Sequence, residues 1–175
     1  MIDLTQRALP DTVMVDGRAF LIKTDYRIWI RFMQEAAKGK PFDCSYVFVA
    51  DFPPYIPITA LLEFAQPPKE LPRQTEHNDA IVLDYKIDGD LIYAAFWEQY
   101  GIDLIETDLH WHKFIALLNG INETTALAKV MGYRSYKKGQ KTKDPYQQMK
   151  RAWEIIPPRS EEEAEAIAEF ESMFE

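Results

Sequence analysis

Hydrophobic positions alternate in a strand-like way only near the start of the chain. Two short runs, residues 12–15 and 18–22, flank the pair Asp16-Gly17. This pair is typical of a two-residue type I′ turn, in which both residues take positive φ angles. The pattern therefore predicts a short β-hairpin, which needs a helix packed on one face because two strands alone are marginally stable.

Elsewhere the apolar residues follow a helical period and are bounded by capping residues, glycines or prolines. Thr24 and Thr107 are the predicted N-caps of two helices, and Arg27 and Arg31 are placed on the solvent side of the first. The predicted helices cover residues 25–38, 58–65, 88–100, 108–119, 123–131, 145–155 and 161–174. Residues 66–78 are predicted to form a linker or an exposed loop.

Residues 43–52 fit two structures. Tyr46 to Val49 favour a strand by propensity, whereas Asp43 could cap a short helix that Pro53-Pro54 would end. We favour the helix.

These elements predict a mainly α protein, a compact multi-helix domain with a short N-terminal β-hairpin. We expect one helical domain at residues 1–155, with the hairpin at 12–22. Residues 156–175 are predicted to form an acidic C-terminal helix whose thin apolar stripe suits loose docking, either on this domain or on a partner.

The net charge of −8 argues against a nucleic-acid binder, because phosphate neutralisation needs clustered Lys and Arg. The charge is nevertheless uneven, with a basic run at 134–151 and an acidic run at 161–175. Both runs could simply be solvated, or they could attract each other between copies and produce a homo-oligomer. The residues predicted for self-association are Lys137, Lys138, Lys141, Lys143, Glu161, Glu162, Glu165 and Phe170.

Neither a membrane helix nor a signal peptide is visible in the sequence. No run approaches the roughly 18 uncharged apolar residues that a membrane helix requires. The single cysteine, Cys44, fits a reducing compartment. We expect a protein of the cytoplasm, without membrane association.

The pair His110-x-His112 is the most suggestive arrangement for metal binding. On a helix, side chains two residues apart point in nearly opposite directions, so one ion could not bind both. His110 is predicted to pack partly buried and His112 to lie on the polar face. The glycines fit no phosphate-binding loop, and no motif of a nucleophilic site is present. We therefore expect a protein that is not an enzyme and needs neither metal nor cofactor.

Aromatic residues are concentrated between residues 93 and 114. Most should lie in the core, but their density exceeds what two short helices can bury against each other. Because aromatic side chains are favoured at interfaces, some should face a partner. The candidates for partner binding are Trp97, Tyr100, Trp111 and His112.

The order of these residues resembles that of a known family. Its features are Asp88-x-x-x-Ile92-Tyr93-Ala94-Ala95-Phe96, Tyr100-Gly101-Ile102-Asp103-Leu104, Leu109-His110-Trp111-x-Lys113-Phe114-x-Ala116-Leu117-Leu118 and Tyr133-Arg134. They are similar to small proteins from siphophages and prophages of Gram-positive bacteria, whose genes usually lie between those of the major tail protein and the tape-measure protein. The chain departs from that pattern at His112, where an aromatic residue, commonly Trp, is usual.

The resemblance implies a tail assembly chaperone that binds the tape-measure protein in the cytoplasm of the bacterial host. It also implies self-association into an oligomer, because a long helical client offers many similar binding segments. The alternative is a structural tail or neck component that remains in the virion. The resemblance implies no catalytic residues.

Overall fold

The computed structural model describes residues 2–66, 81–136 and 145–156. The mainly α fold with an N-terminal hairpin is confirmed. The described elements are β1 (Thr12–Val15), β2 (Arg18–Leu21), α1 (Tyr26–Ala37), a 3₁₀ turn (Ser45–Val47), α2 (Ile58–Ala65), α3 (Gly89–Tyr100), α4 (Trp111–Asn119), α5 (Ala126–Ser135) and α6 (Pro145–Trp153). The residues predicted for self-association, most of the predicted 66–78 loop and the predicted C-terminal helix lie outside the described residues. The predicted boundary near residue 156 stays a prediction.

The hairpin has the predicted turn. Asp16 and Gly17 take φ angles of 50° and 77°, the two positive values of a type I′ turn. The antiparallel strands then pair Val13 with Phe20 and Val15 with Arg18. Val13, Val15 and Phe20 are buried, so the inner face of the hairpin contributes directly to the core.

Helix α1 begins one residue later than predicted, because Asp25 and not Thr24 is its N-cap. The Asp25 carboxylate accepts a hydrogen bond from the Arg27 backbone N–H at 2.9 Å. Thr24 instead uses its backbone carbonyl, which accepts from the Trp111 N–H at 2.7 Å. At the other end, Gly39 has a φ of 64°, the left-handed conformation that commonly follows a helix.

The start of α4 was predicted three residues too early. Asp25 and His110 form an antiparallel bridge, and the Tyr26 N–H donates to the Leu109 carbonyl at 3.0 Å. This pairing holds His110 in an extended conformation, so the helix cannot begin before Trp111. Because of this tertiary backbone contact, the N-cap of α4 is His110 and not the predicted Thr107.

Residues 43–52 do not form the favoured helix. Asp43 accepts from the Ser45 N–H at 2.8 Å, as a cap would, but the following turn is only three residues long. The backbone then pairs with the hairpin, because Val49 N–H donates to the Leu21 carbonyl at 3.1 Å and the Val47 carbonyl accepts from Lys23 N–H at 2.8 Å. Residues 47–49 thus pair as a strand would with the end of the hairpin, although they form only an isolated bridge.

Helix α5 also begins later than predicted, at Ala126 rather than Glu123. Residues 122–125 form a turn in which the Thr125 hydroxyl donates to the Asn122 carbonyl at 2.9 Å. The same hydroxyl accepts from the Ala128 N–H at 3.2 Å, the bond made by an N-cap.

Phe114 lies at the centre of the core in the part of the chain that contains α1 to α4. Its ring stacks on Tyr26, Phe96 and Trp111, with ring centroids 4.7, 5.2 and 5.8 Å apart. Phe114 and Phe96 are completely buried. The aromatic rings that the sequence concentrates between 93 and 114 therefore join α3 and α4 to the start of α1.

The described residues divide into two compact units. The first contains residues 2–66 and 83–131, and the second contains 81–82, 132–136 and 145–156. In the second unit, Arg134 is buried and donates to the Trp153 carbonyl at 2.7 Å and the Val82 carbonyl at 3.1 Å. Arg134 is therefore a structural residue of this unit, although it begins the basic run. Among the described helices, none has the length and apolar character needed to cross a membrane.

Replacing each candidate N-cap of α1 by alanine should show which of the two residues caps the helix. Asp25→Ala should lower the free energy of unfolding by about 1 kcal/mol, because the Arg27 N–H loses its acceptor. Thr24→Ala should lower it by less than about 0.5 kcal/mol, because the backbone carbonyl of residue 24 is retained. Urea denaturation measures both values, and a larger loss for Thr24→Ala would contradict the assignment.

Candidate partner-binding site

An apolar cleft of about 460 Å³ lies in the first unit beside the N-terminal halves of α1 and α3. Its charged lining residues are Arg27 and Asp90. The apolar and aromatic lining comes from α1, α3, α4, the turn before α3 and the loop that joins α3 to α4. These residues are Tyr26, Ile30, Tyr85, Ile92, Tyr93, Leu104, Ile105 and Phe114.

Arg27 fixes one wall of the cleft by binding the loop between α3 and α4. Its guanidinium Nη2 donates to the carbonyls of Leu104 and Ile105, both at 2.9 Å, and of Thr107 at 3.2 Å. Its Nη1 donates to the carboxylates of Asp25 at 2.8 Å and Asp108 at 3.2 Å. The planar guanidinium suits this task, because it presents several donors in fixed directions.

The loop itself is shaped by two residues of the family-like motif. Gly101 ends α3 with a φ of 64°, and its N–H donates to the Trp97 carbonyl at 3.0 Å. The Asp103 carboxylate then accepts from the N–H of Ile105 at 2.9 Å. These turns bury Leu104, whose carbonyl also accepts from the Tyr26 hydroxyl, and leave Ile105 72% exposed at the edge of the cleft.

The apolar surface extends beyond the cleft along α3. Residues 91–97 of this helix are all apolar or aromatic, and Trp97 is 55% exposed. Its indole stacks on the ring of Tyr93, with centroids 6.5 Å apart and planes 13° apart. A helical stretch that is apolar on all sides is normally buried on all sides. Among the described residues, none covers the exposed Trp97 ring on this side of α3 beyond its stacking on Tyr93.

The four candidates for partner binding occupy different environments. Trp97 is exposed, and Tyr100 is half-buried with its hydroxyl donating to the Leu117 carbonyl at 2.9 Å. Trp111 is buried and donates from its indole to the Ala65 carbonyl at 2.8 Å. His112 is buried as well. Of the four, Trp97 therefore offers the largest surface, and Trp111 and His112 offer almost none.

His112 does not lie on the polar face, contrary to expectation. Its ring stacks on Phe64 with centroids 4.5 Å apart, and its Nε2 donates to the Phe64 carbonyl at 2.8 Å. His112 thus packs as an aromatic residue would.

The prediction that the side chains of His110 and His112 point in nearly opposite directions was also wrong. His110 precedes the helix as its cap, and the two ring centroids are only 5.2 Å apart. His110 Nδ1 accepts from the His112 backbone N–H at 3.0 Å, and its Nε2 donates to the Pro10 carbonyl at 3.0 Å. The packing of His110 agrees with its predicted role. Within the described residues, no three His, Cys, Asp or Glu side chains form a group that could hold a metal ion.

Cys44 shows no sign of activation as a nucleophile. Its side chain is buried, and burial raises the pKa of the thiol. A raised pKa lowers the fraction of reactive thiolate at neutral pH.

The sequence alone did not indicate Arg27, Tyr85 or Ile105 as residues of the candidate site. Helical periodicity places Arg27 on the solvent side of α1, as predicted. Its hydrogen-bond partners lie about 80 residues away in the sequence, so the local pattern could not indicate them. Ile105 follows Asp103 by two residues, and its N–H donates to the Asp103 carboxylate in a local turn. Only that local motif could have suggested an exposed isoleucine.

These features describe a small helical protein with an exposed apolar cleft. A family model described as Bacteriophage Gp15 protein matches residues 61–155, more than half of the chain, and the chain belongs to this family. It is therefore a bacteriophage protein, and the family indicates a structural or morphogenetic role. No curated protein and no solved structure is significantly similar to the chain.

Acidification should destabilise the protein through the buried His112 and the half-buried His110. Burial lowers the pKa of His110 and His112, because the charged imidazolium loses hydration. In the unfolded chain both rings titrate near about 6.5, so the unfolded state binds more protons as the pH falls. The histidine contribution to stability is therefore present above about pH 6.5 and is lost as the pH falls toward the folded pKa values. Urea denaturation at several pH values should show this decline, and His112→Gln should make it shallower. An equal decline in both proteins would contradict the assignment.

Replacing Arg27 by lysine should loosen the wall of the cleft while preserving the charge. A single ammonium cannot reach three carbonyls and two carboxylates together, so the free energy of unfolding should fall by about 1 kcal/mol. Amide hydrogen exchange of residues 104–108 should accelerate in the same variant. The matched control is Arg7→Lys at an exposed position, which should change neither quantity. Unchanged exchange in Arg27→Lys would contradict the role of Arg27.

Proposed function

We propose that this protein is a non-catalytic tail assembly chaperone that binds the tape-measure protein during morphogenesis of the phage tail. The observation that carries the proposal is the apolar cleft and its extension along α3, found in a member of a bacteriophage family. The proposal places the protein in the cytoplasm of the host, where tails assemble before the virion is released.

The physical requirement for such a chaperone is an apolar surface that is stable while uncovered. A tape-measure protein is long and helical, and its apolar stripes would associate with one another before the tail tube surrounds it. The Tyr93–Trp97 side of α3 suits this role, since its rings are held by stacking and by a well-packed helix beneath them. Binding should be reversible, because the client must be released when tube subunits polymerise.

Self-association belongs to the same proposal. One client offers many similar segments, and several copies bound side by side would cover it through many weak contacts. The lysines of 137–143 and the glutamates of 161–165 are the residues proposed for contacts between copies.

Co-expression of the protein with the tape-measure protein of the same phage tests the proposal. The soluble fraction of the tape-measure protein should rise, and the two should co-purify. The control is co-expression of the tape-measure protein with an unrelated acidic helical protein of similar size. No difference between the two would contradict the proposal.

Mass spectrometry of purified virions separates the chaperone from the structural alternative. A chaperone should be absent from virions, whereas a tail or neck component should be present in stoichiometric amounts. Its presence in virions would favour the alternative.

A further inference from the structure

The secondary structure that lines the cleft indicates what kind of peptide can bind there. Its lining consists of side chains from helices, from the turn before α3 and from the loop between α3 and α4, and no described strand contributes to it. An extended peptide would therefore find no strand edge with which to pair its backbone. A helix satisfies its own backbone hydrogen bonds and needs only an apolar surface for its side chains.

The exposed apolar area is larger than a small ligand would require. Ile105 is 72% exposed on one side of the cleft, and Trp97 continues the surface beyond Tyr93. Ile87 is also exposed, in the turn between the lining residues Tyr85 and Gly89. An elongated apolar surface of this kind fits a macromolecular partner.

The charges around the cleft are mainly negative. Asp90 lines it, and the carboxylates of Asp103 and Glu106 lie close enough to Tyr93 to act on its hydroxyl group. Asp25 and Asp108 flank Arg27 and compensate its charge. Lys86 follows the lining residue Tyr85 in the sequence. Among the described residues around the cleft, five carboxylates thus stand against two cations, of which Arg27 is already engaged by the loop.

We infer that the cleft binds an amphipathic helix whose apolar stripe is flanked by Lys or Arg. The identification of that helix as a segment of the tape-measure protein rests on the proposed function. The apolar stripe would lie on Ile105, Tyr93 and Trp97, and the basic edges would face Asp90 and Glu106. Complementary charge of this kind directs a helix to this surface and fixes its orientation.

Two sets of substitutions test the site in the full-length protein co-expressed with the tape-measure protein. Ile105→Ala should reduce the amount of tape-measure protein that co-purifies by about tenfold, the loss typical of an interface anchor. Its matched control is Ile156→Ala, an isoleucine that is similarly exposed. The double variant Asp90→Asn with Glu106→Gln should reduce co-purification several-fold. Its control, Asp51→Asn with Glu63→Gln, changes the net charge equally at exposed positions outside the cleft lining.

The dependence of binding on salt should distinguish the apolar contact from the charge contacts. The wild-type complex should lose bound tape-measure protein as the wash rises from about 0.05 to 0.5 M NaCl, because screening weakens the charge contacts. The double variant should lose a smaller proportion over the same range. Circular dichroism of each variant establishes that it is folded as the wild type is.

A photo-crosslinking residue at position 105 identifies the occupant. The expected product joins position 105 to a tape-measure segment with apolar residues at helical spacing and Lys or Arg beside them. Crosslinking to an acidic segment, or to a second copy of this chain, would overturn the inference.

The outcomes distinguish the site from the function. If the wild type binds the tape-measure protein and the cleft variants bind as well as their controls, the cleft assignment fails and the chaperone proposal stands. If the wild type does not bind it at all, both fail.

Discussion

The first unit depends on the contact between the start of α1 and the segment that leads into α4. Thr24 and Tyr26 make backbone hydrogen bonds to Trp111 and Leu109. Arg27 binds three carbonyls of the loop that precedes Leu109. This pairing is short, but it joins segments about 80 residues apart in the chain. It also decides where two helices begin, and it brings Tyr26 onto Phe114. Without it the cleft would lose the wall that α1 supplies.

The same contact explains why an apolar surface can remain exposed. Here Leu104 is buried beneath the loop, and the carbonyls around it are held by a guanidinium. Ile105 consequently stays at the surface although it is apolar. The hydrogen bonds to the loop and the buried neighbour thus hold Ile105 at the surface of the candidate site.

Local chemistry made much of the fold predictable. The Asp16-Gly17 turn, Gly39 and Gly101 have the conformations that their sequences favour, because each requires a positive φ. The errors at the starts of α1 and α4 have one physical origin. Thr24 and Thr107 are good caps by composition, yet backbone pairing between distant segments placed Asp25 and His110 at those ends instead. A local pattern contains no information about such pairing.

The candidate site was less predictable than the fold for the same reason. The excess of aromatic residues did indicate that some rings would be exposed, and Trp97 is one of them. Trp111 and His112 are buried because α4 packs against the end of α2, where their side chains donate to the carbonyls of Ala65 and Phe64. The local sequence does not show that contact, so these two residues could not be told from surface residues. The cleft itself requires Arg27 and Ile105 to lie side by side, and they belong to segments that meet only in the folded chain.

The long separation between Tyr26 and Leu104 has a consequence for biosynthesis. The hairpin and α1 emerge from the ribosome early, but α1 can bind its loop only after residues up to about 111 have been made. Closing so large a loop is entropically costly, and contacts of this range form late in folding. The cleft is therefore completed only after the helices on both of its sides have been synthesised. A nascent chain consequently cannot offer the complete cleft to a partner before residues up to Phe114 have been made.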